Sequence, residues 1–341
     1  MRSICVAVLM YLSAVGANPV KKERTTRAPK RGANTSSISK TPTTSTIVVS
    51  TATSTNKVIL AASLNTNPKQ LVTYRYGQPV MQGSSTKLYP IFYGPTWTTS
   101  QKNHILAFLS SFSPASKPSP PWFDTLHLYY SANTSSSPLT YISGYPTLVK
   151  PAQVYGFTTM FYGLNVNYTQ MPSLISVAIQ SAYFGPGTTT PDPNGIYMLI
   201  GDTTITNDYV CKTLCGFHDT FNINGVAVKW LYTSNTATQC PSGCGVAEGQ
   251  SPLNGGIGDA GTDALVNILA HEIAETMVDP LGTSWIKGSG TENGDVCNFV
   301  YGPPVTLGAR HDYQAVWEGS LVKYRIQTLY NPWTNVCVIS P

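Results

Sequence analysis

Charge is what this sequence has least of. Only 11% of its 341 residues are charged, with 16 acids and five histidines in the whole chain. Away from the first 57 residues the balance is slightly acidic, 12 basic against 15 acidic, which argues against a nucleic-acid partner. After the N-terminal segment no apolar run is long enough to span a bilayer. There is no G-x-S-x-G elbow to single out a nucleophilic serine and no internal repeat. Seven cysteines are present; if Cys5 leaves with a signal peptide, six remain, and an even set in an exported chain favours bridges over a thiol nucleophile.

The basic residues collect at the start. Met1-Arg2, an apolar run from Ile4 to Leu12, and small residues at Val15 and Ala17 read as a secretory signal peptide spanning 1–17. Residues 18–57 carry eight basic groups and one acid in a Ser/Thr/Pro-rich context, a leader or propeptide that buries too little apolar surface to fold. Order is expected from Val58, giving one domain over 58–341, exported and monomeric. Sequons at Asn34, Asn133 and Asn167 fit a secreted glycoprotein. The six cysteines Cys211, Cys215, Cys240, Cys244, Cys297 and Cys337 allow fifteen pairings, and the two C-x3-C spacings leave a four-thiolate zinc site as the alternative.

Strands are expected at Leu71–Tyr76, Lys87–Gly94, Thr140–Ile142, Leu148–Val154, Gly195–Gly201, Val226–Tyr232, Ala315–Glu318 and Leu321–Gln327. Gly195–Gly201 is apolar throughout, as suits a strand buried on both faces. Helices are expected at Thr98–Phe112, Trp122–Ser131 and Leu174–Ser181. Another starts at Thr262 or Asp263 and ends at Pro280, with Leu265, Ile268 and Leu269 as its buried stripe. The mixture indicates an α+β or α/β fold with a mixed sheet and the long helix packed on it.

That helix contains Ala270-His271-Glu272-Ile273-Ala274-Glu275, followed by Asp279 and then by Glu292-Asn293-Gly294-Asp295. His271 and Glu275, four apart, project from one helix face within reach of a common ion, with Glu272 beside them. The pattern is that of the zincin motif H-E-x-x-H, in which two histidines bind zinc and the glutamate activates water, with Glu275 in place of the second histidine. A carboxylate suits zinc and harder cations alike, so calcium stays open beside zinc. One of Asp279, Glu292 or Asp295 is expected as a further ligand, and His218, next to Cys215, is the remaining candidate. The plainer alternatives are a His271–Glu275 ion pair, a loop histidine at 218, and Glu292 and Asp295 capping a turn beside Cys297. A glycosidase with Glu272 or Glu275 as one of two acids is a further enzymatic option.

Taken together, Cys211-x3-Cys215-Gly216-Phe217-His218, Cys240-Pro241-x2-Cys244, the His271–Pro280 segment, Glu292-Asn293-Gly294-Asp295-Val296-Cys297 and Tyr324-x-Ile326-Gln327 with Cys337 resemble the phosphate-induced protein 1 family, also called EXORDIUM-like, from about Thr73 to the end. The resemblance implies a secreted or wall-associated protein; plant members are tied to cell expansion and growth. Microbial members often keep the H-E-x-x-E helix, and this chain is like that kind. The expectation is therefore a secreted, zinc-dependent, peptidase-like hydrolase with Glu272 as general base, acting on an extracellular peptide or cell-wall component. The alternative is a non-catalytic extracellular or cell-wall-associated protein of growth or host interaction.

Overall fold

The computed structural model describes residues 72–112, 122–151, 161–185, 187–245, 260–288, 290–301, 312–317 and 320–341, with the side chains of 312–317 and 320–323 left out. The signal peptide, the basic leader, Asn34, the start of the domain at 58, the proline-rich connection 114–121 and His311 lie outside the described residues.

Strand β1 (Thr73–Tyr74) is the middle of the predicted Leu71–Tyr76 segment, and β2 (Lys87–Tyr93) follows as expected. Helix α1 (Thr99–Ser110) starts where Thr98 offers its hydroxyl to the amide of Gln101 (3.2 Å) and Gln101 returns its carbonyl oxygen to the amide of Thr98 (3.0 Å). The helix expected at Trp122–Ser131 is instead a 3-10 turn, Phe123–Leu128, running into β3 (Tyr130–Ser131). Consecutive aromatics at 129 and 130 favour extended backbone, and Tyr129 is drawn out by the hydrogen bond from its hydroxyl to the carbonyl of Tyr330 (2.5 Å). Strand β4 (Thr140–Tyr141) pairs with β3. Strand β5 (Thr147–Leu148) is shorter than the predicted Leu148–Val154, whose end lies outside the described residues.

Helix α2 (Met171–Gln180) and β6 (Gly195–Gly201) match expectation, and every residue of β6 is buried. Strand β7 (Gly216–Ile223), which was not predicted, forms a hairpin with β8 (Val226–Ser234) through Asn224-Gly225, both at positive φ (50° and 84°), the two-residue turn that suits twisted antiparallel strands. Then come α3 (Ala260–Val278), β9 (Trp285–Ile286), α4 (Asn293–Val296), β10 (Asp312–Trp317), β11 (Ser320–Arg325), β12 (Leu329–Asn331) and β13 (Val336–Val338).

The central sheet has the order β5-β2-β6-β8-β7, parallel except for the antiparallel edge strand β7. Alternation sends its side chains to two cores. Leu88, Phe92, Ile196, Met198, Ile200 and Leu231 join α1, α3 and the 3-10 turn, while Tyr89, Ile91, Tyr197, Leu199 and Trp230 join α2. The result is three layers in one domain of mixed α and β structure. Three disulfides staple it: Cys211–Cys240 and Cys215–Cys244 tie the entrance of β7 to the segment after β8, and Cys297–Cys337 ties the end of α4 to β13. The four-thiolate zinc alternative is thereby set aside, because its sulfurs are bonded to each other.

Helix α3 departs from the expectation of one buried stripe. Every residue after Ala260 is buried, because sheet, α1, α4 and β11 surround the helix. Its polar side chains must therefore find partners inside the protein. Near its start Asp263 meets buried His104 of α1 at 2.9 Å. In its middle lies the motif.

Candidate metal centre

Three elements converge on the centre of α3. The helix supplies His271, Glu272 and Glu275. Edge strand β7 supplies His218, held against the helix because Gly216 has no side chain: a Cβ there would lie 2.5 Å from Ile268 and 2.8 Å from Glu272 Oε1. The short α4 brings Glu292 and Asp295, and Gly294 plays the same part there. A Cβ on Gly294 would sit 2.9 Å from Glu275 Oε1 and 3.0 Å from His271 Nδ1.

His218 Nδ1 donates to Glu272 Oε2 at 3.1 Å and lies 3.7 Å from Glu275 Oε2, while its Nε2 is 3.5 Å from Glu292 Oε1. His271 Nε2 is 3.1 Å from Glu275 Oε1 and 3.8 Å from Asp295 Oδ1. The amide of Asp295 donates to Glu275 Oε1 (2.9 Å), and Asp295 Oδ2 accepts from the amide of Glu292 (3.2 Å), so Asp295 does cap its turn. Two overlapping sets of ligand atoms each fall within 4.8 Å: His218, Glu275 and Glu292, and His271, Glu272 and Glu275. Donor atoms around one tetrahedral zinc, with bonds of about 2.0–2.2 Å, lie about 3.3–3.6 Å apart, so the observed spacings suit a small cation.

The electrostatics point the same way. Burial works against a charge on His271, but Glu275, by charge and by hydrogen bond, then Glu272 and Asp295, push it up to about 10. Burial, followed by the charge of Glu275, pushes Asp295 up to about 9. Glu272 is raised, mainly by burial, against the opposing hydrogen bond from His218. Burial works to raise Glu275 as well, yet His271 beside it prevails and holds it below the usual carboxylate range. Four carboxylates face two imidazoles. Even with both rings protonated, full ionisation would leave two uncompensated negative charges in the interior, which a divalent cation neutralises.

Of the residues singled out in sequence, His271, Glu272, Glu275, Glu292, Asp295 and His218 come together. Asp279 does not join them. Its Oδ1 accepts from the amides of Thr283 (2.5 Å) and Ser284 (2.7 Å), which makes it the turn-forming group after the helix, where Pro280 requires a bend. His127 lies elsewhere and bonds the carbonyl of Gly144 through Nε2 (2.9 Å). Sequence reading missed Gln327, whose buried amide touches His271 Nδ1 at 2.8 Å and the carbonyl of Gly294 at 3.0 Å. It also missed the reason for the two glycines. All three stand in the segments that carry the family resemblance, but no role could be read for them there, since each is defined by what crosses it in space.

A family profile described as "Phosphate-induced protein 1 conserved region" matches residues 72–339. The chain is similar to Protein EXORDIUM-like 5 of Arabidopsis thaliana, 28% identical over 78% of this chain and 77% of that protein. It is 30% identical to Protein EXORDIUM-like 3 of Arabidopsis thaliana, over 68% of this chain and 70% of the other. Protein PHOSPHATE-INDUCED 1 of Nicotiana tabacum is 26% identical over 82% and 91% respectively. No solved structure matches.

Proposed function

The chain belongs to the phosphate-induced protein 1 family, and on that premise we propose that it is a secreted, zinc-dependent hydrolase of extracellular peptides, of the family's microbial, zincin-like kind. The observation that carries the proposal is the buried convergence of two imidazoles and four carboxylates on one helix centre, with Glu275 common to both ligand sets. The imidazoles favour zinc, and the surplus of carboxylate oxygens makes calcium the competitor. A cation bound there supplies Lewis acidity and makes water a nucleophile near neutral pH.

The chain's own residues supply the rest. Glu275 anchors the cation from α3. Glu272 uses Oε2 to hold His218, and its Oε1 is buried without a hydrogen-bond partner among the described residues, so that oxygen is left to take a proton from the attacking water. Three disulfides support export, and the segment 1–17 is read as its signal.

A second reading has an observation of its own. His271, Glu272, Glu275, Glu292 and His218 are at most 4% exposed, which suits a closed, structural cation in a non-catalytic cell-wall-associated protein. Elemental analysis of the full chain purified from a secretory host, with a peptide-library digestion, separates the two. The hydrolase reading expects one zinc per chain, lost in Glu275→Gln. It also expects peptide cleavage that falls about 100-fold or more in Glu272→Gln while zinc stays bound. Zinc without cleavage, together with chelator-insensitive binding to wall polysaccharide, would favour the second reading. Absence of metal from the wild type would defeat the hydrolase reading and leave a non-catalytic wall-associated protein whose helix is structural.

A further inference from the structure

Resting on the metal-dependent reading above, we propose that the cation is held by His218, Glu275 and Glu292, and that Gln327 keeps His271 out of its coordination as a neutral ring protonated on Nε2. The argument begins with an amide whose orientation is fixed by backbone. Gln327 Nε2 lies 3.0 Å from the carbonyl oxygen of Gly294, and its Oε1 lies 3.3 Å from the amide of Phe299. Turning the amide over would set oxygen against oxygen at Gly294 and N–H against N–H at Phe299. The residue is fully buried and its own amide is tied to Asn267 Oδ1 at 2.8 Å, so it has no room to relax.

It is therefore an N–H of Gln327 that meets His271 Nδ1 at 2.8 Å, and Nδ1 must accept. A neutral imidazole that accepts at Nδ1 carries its hydrogen on Nε2, and a protonated nitrogen has no lone pair for a cation. Histidines that bind metals through Nε2 show the reverse, with Nδ1–H donated to an acceptor. His271 Nε2 lies 3.1 Å from Glu275 Oε1 and 3.8 Å from Asp295 Oδ1, without the geometry of a hydrogen bond to either. Those carboxylates draw the ring toward its charged form, and a cation held by Glu275 and Glu292 would offset that draw.

The remaining geometry sorts itself accordingly. Glu275 Oε1 accepts from the amide of Asp295 and faces His271, which leaves Oε2, on the His218 side, for the cation. His218 has the pattern that His271 lacks. Its Nδ1 donates to the Glu272 carboxylate at 3.1 Å, which puts the lone pair on Nε2, 3.5 Å from Glu292 Oε1 and within the spacing of two ligands on one zinc. Gln327 is thus a positioning residue, acting through the His271 ring.

The test loads the full chain, labelled with nitrogen-15, with cadmium-113, and reads the histidine ring nitrogens by long-range correlation NMR; X-ray absorption on the zinc form counts imidazoles. One imidazole per cation is expected, with cadmium coupling on His218 Nε2 and a hydrogen-bearing, uncoupled Nε2 on His271. Gln327→Glu, which places an acceptor beside Nδ1, is expected to move the hydrogen there and raise the imidazole count from one to two. His218→Ala should weaken cadmium binding at least about 100-fold, and His271→Asn about tenfold. Cadmium coupling on His271, or two imidazoles in the wild type, would overturn this assignment while leaving the hydrolase reading intact. Failure to bind zinc or cadmium at all would overturn both.

Discussion

Replacing Gly294 with alanine sets two effects of opposite sign against each other. The residue lies in α4, where alanine is preferred over glycine by about 1 kcal/mol on helix propensity alone. The added methyl, however, would lie 2.9 Å from Glu275 Oε1, 3.0 Å from His271 Nδ1 and 3.1 Å from His271 Cε1. An ordinary contact needs roughly 0.5 Å more, and neither neighbour can yield, since α3 is enclosed on all sides. Overpacking costs about 1–3 kcal/mol, and three close contacts on enclosed groups put this case in the upper half, about 2–3 kcal/mol, so sterics should prevail with a net loss of about 1–2 kcal/mol. For a domain of this size that lowers Tm by about 3–6 °C. Cation affinity should fall as well, because the displaced atoms belong to Glu275, the proposed ligand, and to the ring beside it. Thermal unfolding and metal content are measured on Gly294→Ala and on Gly288→Ala, where a Cβ meets nothing within 4 Å and no loss is expected. An unchanged or higher Tm for Gly294→Ala, with full metal content, would refute the claim that close approach at this glycine builds the site.

Three other outcomes are expected. In the chelator-treated protein, burial and the charge of Glu275 hold the proton of Asp295 to about 9, above its ordinary value of 3.8. A group raised in the folded state favours folding at lower pH, so urea unfolding should show stability falling as pH rises from the ordinary value of 3.8 to about 9, and zinc should flatten that slope; an identical slope with and without zinc would count against a cation here. His104→Ala removes the imidazole that meets buried Asp263 at 2.9 Å and should cost about 3–5 kcal/mol in chemical denaturation; a loss under about 1 kcal/mol would show the pair to be dispensable. Replacing Cys297 and Cys337 by serine opens a bridge with a sequence separation of 40, worth about 4 kcal/mol on loop entropy, and should leave metal content less affected than Gly294→Ala does.

Local chemistry was legible wherever the deciding interactions were local. The capped start of α1 at Thr98, the glycine-bounded apolar run of β6 and the four-residue spacing of His271 and Glu275 could all be read from neighbours within a few positions. β7 was not read, although Asn224-Gly225 between Phe221-Asn222-Ile223 and Val226-Ala227-Val228 carried a hairpin signal. Its first three residues are buried while the middle of the strand is half-buried, so the alternation expected of a surface strand is blurred. The Trp122–Ser131 segment misled for the opposite reason, since helical spacing of its apolar residues gave way to the extended pull of Tyr129 and to the pairing of Tyr130 with Tyr141.

The sequence by itself determined the class of fold, the helix that carries the motif, and the inventory of groups able to hold a cation, because periodicity and residue chemistry are properties of the chain. Tertiary structure decided which of those groups meet. It brought His218 to the helix on an edge strand 54 positions away, turned Asp279 aside into a turn, and selected one cysteine pairing out of fifteen. It also set the side-chain amide of Gln327 2.8 Å from His271 Nδ1. Burial is the physical reason. Only when α3 is enclosed on every side do its charged groups lose water, and only then must each find its partners inside the fold.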